Sequence, residues 1–209
     1  GDIDINLSNG NLKSHDFLGK VNMVVNFADV TINQMKNGRF NCNYSDIYLK
    51  KGGALTIESK SSTFEILELK NIDTNSRRDK FRIRLAERVE ARSTFSNFRI
   101  SELTDQLSLR AEYGDVDIEK IPPGFSTIFA ESKSTDITLS FDEGASFDFE
   151  INHTKSQVDL CREMEIEEEI KLDEKEGKMK LTGNFGNKKT GNTNLIINAI
   201  SGGINVRSD

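Results

Sequence analysis

The stretch YSDIYL, Tyr44 to Leu49, recurs with small changes along the chain. Close variants are FADVTI from Phe27, FSNFRI from Phe95, YGDVDI from Tyr113 and STDITL from Ser134. A short phrase that returns at a steady interval is typical of solenoids, in which each repeat is one structural unit stacked on the next. We take the apolar residue that follows the Asp of the phrase as the anchor of each repeat.

The anchors lie at a nearly constant spacing. They are Val30, Ile47, Phe64, Phe81, Phe98, Val116, Ile137, Val158 and Ile204. In residue numbering the intervals between them are 17, 17, 17, 17, 18, 21, 21 and 46, and the last interval contains an insertion. An aliphatic residue lies two positions after every anchor, and the positions seven and nine before it are mostly apolar. Alternating apolar positions predict strands with one buried face.

The quoted phrase is predicted to form a corner. The position three before the anchor is aromatic in several repeats and is expected to point inward, as the anchor does. Two inward positions separated by an odd number of residues do not fit one straight strand, so the chain is expected to bend between them. Small residues two before the anchor suit a tight bend. The polar residues directly before the anchor are expected to accept backbone N–H groups there; they are Asp29, Asp46, Asn97, Asp115 and Asp136.

These columns predict an all-β fold, a right-handed parallel β-helix with short coils of about 17 to 21 residues. Stacked coils pair as parallel strands, and parallel crossovers are right-handed in about 98% of cases. A left-handed hexapeptide helix would need a strict six-residue repeat, and a β-sandwich does not explain the constant spacing. Residues 1–209 are predicted to form one domain. Residues 162–192 break the period and are predicted to be a charged excursion hairpin, with a short amphipathic helix as the alternative.

Composition limits the classes of partner. The formal net charge is -6, which disfavours nonspecific binding to nucleic acid or to an anionic membrane. No run of 18 apolar residues is present, so no membrane insertion is expected. Cys42 and Cys161 are far apart and have no metal-ligand spacing.

The sequence nominates no catalytic residue. His15 is expected in an irregular N-terminal segment and His153 in an interior column that also contains Cys42, so no nucleophile and base are paired. The Asp column could hold calcium, but each coil offers a single carboxylate and Thr63 and Lys80 interrupt the column. We therefore predict no metal and no cofactor.

A basic cluster interrupts this acidic chain. Its members are Arg77, Arg78, Lys80, Arg82 and Arg84. Arg82 and Arg84 alternate with apolar residues and are expected on the outer face. The cluster is either a solvated face that prevents sheet association or a site for an anionic glycan or protein partner. The acidic run Glu163–Glu176 is similarly a solvated hairpin or a contact for a basic partner.

The corner phrases, the opening GDIDI and the ending GNTNLIINAISGGINV resemble bacterial adhesin-like proteins of β-helical fold, including the auto-transporter-adhesin-like group called the head GIN domain. The resemblance covers nearly the whole chain, and GGIN at Gly202–Asn205 is its closest match. It departs at Thr63 and Lys80 and in the charged excursion.

This resemblance implies export to the periplasm, outer membrane or cell surface, although no leader is visible in the sequence. It also implies a noncatalytic solenoid that binds a glycan or an envelope or surface protein. Two alternatives are a polysaccharide-cleaving enzyme, since β-helices also carry lyases and hydrolases, and a structural or regulatory protein of an envelope-stress system.

Overall fold

The computed structural model describes residues 2–186 and 193–208, which form a β-solenoid of stacked parallel coils. The predicted all-β architecture is confirmed, and no helix is present in the described residues. The strands are Ile3–Asn43 (β1), Asp46–Lys60 (β2), Thr63–Arg77 (β3), Lys80–Ile121 (β4), Thr127–Phe141 (β5), Phe147–Thr154 (β6), Gln157–Leu160 (β7), Met164–Asp173 (β8), Lys178–Phe185 (β9), Thr193–Ile200 (β10) and Gly203–Ser208 (β11).

Neighbouring coils pair in register at the interval found in the sequence. β2 and β3 pair with Ile47 opposite Phe64, and β3 and β4 pair with Phe64 opposite Phe81, so successive anchors are direct partners. Identical columns therefore meet, and the buried rings of Phe64, Phe81 and Phe98 stack with centroids 4.8 and 4.5 Å apart. Stacked rings in one column contribute packing and quadrupole energy that a single coil could not obtain.

The corner differs from the expectation in one respect. The aromatic residues three before the anchor point outward: Phe27 is 59% exposed, Tyr44 and Phe95 are each 49% exposed, and Tyr113 is 40% exposed. Each has a positive φ between 51° and 56°, in the left-handed region. One left-handed residue interrupts strand alternation, so two consecutive residues face outward and the following residue turns inward.

Small polar residues line the inside of the corner, two positions before the anchor. The Ala28 N–H donates to Ser45 Oγ and the Ser45 N–H donates to Ser62 Oγ, both at 3.2 Å. The Asp79 N–H donates to Ser96 Oγ at 3.1 Å. This buried column connects one coil to the next with hydrogen bonds that satisfy the backbone at the bend.

The predicted capping column directly before the anchor is exposed and caps only in part. Asn97 Oδ1 accepts the Asp115 N–H at 3.3 Å, and Asp136 Oδ1 accepts the Gly203 N–H at 2.7 Å. Within the described residues, the side chains of Asp29, Asp46 and Asp115 accept no hydrogen bond. The predicted role of these carboxylates was to accept backbone N–H groups at the bend. Buried serine side chains two positions before the anchor perform most of it.

Asp79 places a carboxyl group in the buried column, where other coils have serine. Its side chain is 1% exposed and accepts hydrogen bonds from the Ser62 N–H (2.7 Å), the Ser59 hydroxyl (2.7 Å) and the Arg77 N–H (3.0 Å). Burial raises the pKa of Asp79 above its ordinary value, and these hydrogen bonds oppose that change. The proton on Asp79 therefore contributes stability that is fully present below the ordinary carboxyl pKa and lost as pH rises through the raised pKa.

Replacement of Asp79 tests this linkage. We expect Asp79→Ser to restore the serine of the column and to remove the contribution of Asp79, which lowers the free energy of unfolding as pH rises above the ordinary carboxyl pKa. Asp79→Ala leaves donors without an acceptor and should lose about 1 to 3 kcal/mol for each. Urea denaturation between pH 3 and 8 measures both variants. Parallel pH profiles for Asp79→Ser and the natural protein would contradict the assignment.

The N-terminal segment, expected to be irregular, belongs to the solenoid. β1 begins at Ile3, and Asn9 has a φ of 54°, as at the later corners. Coil-to-coil hydrogen bonds join Asn22 to Asp4 (2.7 Å) and Asn33 to Asp16 (2.8 Å). The alternation of Ile3, Ile5 and Leu7 was the sequence signal for this coil.

The C-terminal coil is not last in the stack. β10 pairs in parallel with β5 on one side and β6 on the other, and β11 pairs with β5 and β7. The coil that ends the chain therefore lies between two coils that are consecutive in sequence. Gly202, in the GGIN motif, fits here because its φ is 88° and a Cβ atom would clash with the Thr135 carbonyl.

β8 and β9 form an antiparallel hairpin, as predicted in preference to a helix, and β9 also pairs antiparallel with β6. The hairpin covers the end of the stack, with Leu181 and Phe185 buried against the core. Residues 187–192, the end of the predicted excursion, lie outside the described residues.

Candidate functional site

An exposed column of aromatic and cationic side chains runs along the outside of the corner. We call it the corner ridge; it consists of Phe27, Tyr44, Lys60, Arg78, Phe95 and Tyr113. Arg78 has a φ of 58° and occupies the same left-handed position as the aromatic residues. The column spans six successive coils, which is about 24 Å at the spacing of β-strands.

The rings of the corner ridge stack in two pairs. Phe27 and Tyr44 have centroids 5.0 Å apart, and Phe95 and Tyr113 have centroids 4.8 Å apart. Lys60 Nζ lies 6.0 Å from the Tyr44 centroid, and Arg78 Cζ lies 6.0 Å from the Phe95 centroid. Cations at this distance from a ring face are attracted by its quadrupole. The two aromatic pairs therefore flank and position the cations of the two coils between them.

The corner divides the basic cluster predicted from the sequence. Arg77, Arg78 and Lys80 lie at the corner, where Lys60 of the preceding coil joins them. Arg82 and Arg84 lie on the outer face of the following strand segment, and Arg84 forms an ion pair with Glu68 at 3.4 Å. Lys80, Arg82 and Arg84 are alternate exposed residues at the start of β4, whereas Arg77 and Arg78 precede it, and the role of all five in binding remains a prediction.

A shallow groove crosses the outer face of the strand segments that precede the corner. This outer groove encloses about 860 Å³ and extends from β3 across β4, β5, β10 and β6 to the hairpin. Its outward-facing residues are Asn75, Arg92, Thr94, Arg110, Glu112, Glu131, Lys133, Asn152, Thr154, Leu172, Lys178, Asn198 and Ile200. Those of the coils form two columns, four and six positions before the anchor, and Leu172 and Lys178 belong to the hairpin. Inward-facing residues such as Ser93 and Ala111 lie between these columns, so backbone forms much of the floor.

Hydrogen bonds and ion pairs connect the groove side chains across coils. Arg110 Nε donates to Glu131 Oε2 at 2.8 Å, and Asn152 Nδ2 donates to Asn198 Oδ1 at 2.9 Å. Within one coil, Arg92 Nη2 donates to Glu90 Oε1 at 3.1 Å. Guanidinium and amide groups held in a row present several donors and acceptors to one extended ligand.

The side chain of His153 also contributes to the groove surface. It is partly buried, opposite Ala199 on β10 and Met179 on β9, and its Nδ1 atom has no hydrogen-bond partner. Burial lowers the pKa of His153, which the nearby Glu169 partly opposes. A histidine kept neutral in this way is consistent with the interior position predicted from the sequence.

The two cysteines are unpaired. Cys42 is buried, and burial together with the negative charge of Asp79 raises the pKa of its thiol to about 12. The thiol is therefore protonated at neutral pH and is a poor nucleophile.

The described part of the chain has neither a metal-binding cluster nor a membrane-spanning helix. Residues 2–186 and 193–208 contain no group of three or more His, Cys, Asp or Glu side chains that could hold a metal ion. The same residues contain no helix with the length and apolar character needed to span a membrane.

Comparison of the chain with protein-family models, with curated proteins and with solved structures finds no match. The sequence singled out Arg77, Arg78 and Lys80 as candidate binding residues but did not reveal the groove. The groove walls are formed by columns that face outward in every coil, and such columns have no apolar pattern by which they could be recognised.

Proposed function

We propose that the protein is a noncatalytic binding solenoid that holds an extended polysaccharide chain in the outer groove. The observation that carries the proposal is the length and continuity of this groove. It crosses seven strand positions, from Asn75 on β3 to Lys178 on β9, which is about 29 Å at the strand spacing. A linear chain of sugars can contact each coil in turn, so that many weak hydrogen bonds add up to useful affinity.

The chemistry of the groove supports a hydroxyl-rich ligand. Asn75, Asn152 and Asn198 each carry an amide that can donate and accept, and Arg92 and Arg110 add forked donors. The charged residues have both signs, and Arg110 forms an ion pair with Glu131. A row of this kind suits polar rings more than a long apolar segment.

A noncatalytic role is favoured over polysaccharide cleavage by the state of the carboxylates. Hydrolysis of a glycosidic bond usually employs two carboxyl groups with separate roles, one of which carries a proton. The carboxyl groups that line the groove belong to Glu112 and Glu131, and Glu131 is already ion-paired with the Arg110 guanidinium at 2.8 Å.

Column-matched substitutions test the groove. The double variant Arg92→Asn with Arg110→Asn introduces asparagine at both positions. The same column already has asparagine in other coils, at Asn41 and Asn75. Loss of two arginine contacts, at roughly 0.5 to 1.5 kcal/mol each, should weaken polysaccharide binding about tenfold. Calorimetric titration against a panel of neutral and acidic polysaccharides measures the affinity, and assays for new reducing ends and unsaturated uronates measure cleavage.

The control is Arg88→Asn combined with Arg99→Asn. These two arginines are also exposed and ion-paired, with Asp105 and Glu119, but lie outside the groove. The control should bind as the natural protein does. Equal loss in both double variants would exclude the groove as the binding site, and product formation well above buffer would exclude a noncatalytic role.

Export to the periplasm, outer membrane or cell surface is part of the proposal and rests on the resemblance to adhesin-like β-helical proteins. Labelling of lysines on intact source cells with a membrane-impermeant reagent should modify the protein. Labelling only after lysis would place it inside the cell and remove this part of the proposal.

A further inference from the structure

The two coils at the centre of the corner ridge depart from the repeat in a consistent way. Most corners have an acidic residue or Asn directly before the anchor, whereas these two have Thr63 and Lys80. The same coils add Lys60, Arg77 and Arg78 at the outward positions. Exposed acidic residues are thus missing directly before these two anchors, where the carboxyl group of Asp79 is buried, and cations are present at the surface of a chain with a net charge of -6.

Among the described residues, the cations at these two corners have no carboxylate partner, unlike five arginines elsewhere on the solenoid. Arg84, Arg88, Arg92, Arg99 and Arg110 each lie within 4.0 Å of a Glu or Asp oxygen. Lys60, Arg77, Arg78 and Lys80 form no ion pair within residues 2–186 and 193–208. Unpaired exposed cations create a local positive potential that attracts anionic groups.

The aromatic residues of the corner ridge occupy backbone positions that are energetically unfavourable for bulky side chains. A bulky residue in the left-handed region is strained, and the equivalent positions of other coils have Asn9, Ser61, Ser134 and Ser201. Phe27, Tyr44, Phe95 and Tyr113 nevertheless occupy this column and remain 40 to 59% exposed. Their ring faces cover one another and contact Lys60 and Arg78, so ring edges, which carry partial positive charge, point outward.

We infer that the corner ridge, together with Arg77 and Lys80, binds the anionic groups of an acidic polysaccharide, either carboxylates or sulfates. This inference rests on the proposed function and names its ligand class. Lys60 and Arg77 belong to the column that continues as the groove wall at Thr94 and Glu112. A sugar chain in the outer groove therefore passes beside the ridge and can direct its charged substituents toward it.

The stacked geometry favours an acidic glycan over single-stranded nucleic acid. Proteins that bind single strands use free aromatic faces as platforms for the bases. Here Phe27 and Tyr44 cover each other, as do Phe95 and Tyr113, and Lys60 and Arg78 approach the inner faces of the two pairs. The cations can bind anionic groups while few ring faces remain for base stacking.

The test replaces two cations with residues that the repeat already uses at the same positions. Lys60→Asn matches Asn26 and Asn43, and Arg78→Ser matches Ser61 and Ser134, so the corner should retain its thermal stability. The double variant should bind polygalacturonate and dextran sulfate about tenfold more weakly. The slope of log affinity against log salt should also fall by about 2, since two ionic contacts are removed. Lys70→Asn with Arg39→Ser removes two exposed, unpaired cations elsewhere and is the matched control.

Ridge-specific loss with either anionic polymer supports the inference, and comparison of the two polymers identifies carboxylate or sulfate as the recognised group. The inference is overturned if neutral dextran binds as tightly as both anionic polymers, or if the control variant loses as much affinity as the ridge variant. Either result leaves the proposed groove function in place. Tighter binding to oligo(dT) or to anionic lipid vesicles overturns the ligand class. Absence of binding to every polysaccharide removes both proposals.

Discussion

Removal of residues 30–38 should unfold the protein, whereas removal of residues 30–46 should leave a shorter solenoid that still unfolds cooperatively. The longer deletion takes out one whole repeat and joins Asp29 to Ile47, which then takes the position that Val30 occupied. Every inward column remains in register, and the Ala28 N–H can donate to Ser62 Oγ as it does to Ser45 Oγ. A solenoid that loses one whole coil loses one nearest-neighbour interface.

The shorter deletion damages the fold because it reverses the inward and outward positions. It joins Asp29 to Arg39, which places a guanidinium at the buried anchor position and Phe40 at an exposed one. Each misplaced large apolar side chain costs about 1.5 to 3 kcal/mol, against a total stability of about 5 to 15 kcal/mol. Thermal unfolding followed by circular dichroism compares the two deletions. Equal damage from both would mean that the sequence repeat does not correspond to a structural coil.

Substitution of Ile197 by Asp should destabilise one end of the molecule. Ile197 is 0% exposed at the centre of β10, opposite Ala130 of β5 and Ile151 of β6. A carboxylate there has no partner and lies where two coils depend on the same strand, so we expect a loss of about 4 kcal/mol or more. Ile200→Asp is the matched control, since Ile200 is on the same strand but 54% exposed, and it should change stability by less than about 0.5 kcal/mol.

The position of β10 also predicts where the damage spreads. β6 and the hairpin strands β9 and β8 connect to the main stack through β10, whereas β2 and β3 lie several coils away. Hydrogen exchange of Ile197→Asp should show lost protection in β6 and β9 and retained protection in β2 and β3, because coils contact only their neighbours. Uniform loss of protection along the chain would contradict the inserted position of the C-terminal coil.

The candidate site was partly predictable because its charges interrupt a repeat. Arg77, Arg78 and Lys80 are visible in the sequence as cations where other coils have polar or acidic corner residues. Lys60 was not recognised, because its relation to Arg78 depends on stacking of two coils. The outer groove was also missed, since Arg110, Glu131 and Asn198 are separated along the chain and become neighbours only through strand pairing.

The period, the buried anchor columns and the excursion hairpin can be predicted from the residue pattern, because burial selects apolar residues at alternate positions of each coil. The folded structure alone shows that Phe27, Tyr44, Phe95 and Tyr113 point outward, since an aromatic residue does not reveal whether its φ is positive. It also decided the order of the coils. Ile204 carries the same column pattern as Val158 and stacks equally well on Ile137, so repeated columns cannot specify their neighbours. The hairpin resolves this choice, because β9 pairs with the side of β6 facing away from β5 and leaves the space between them to β10.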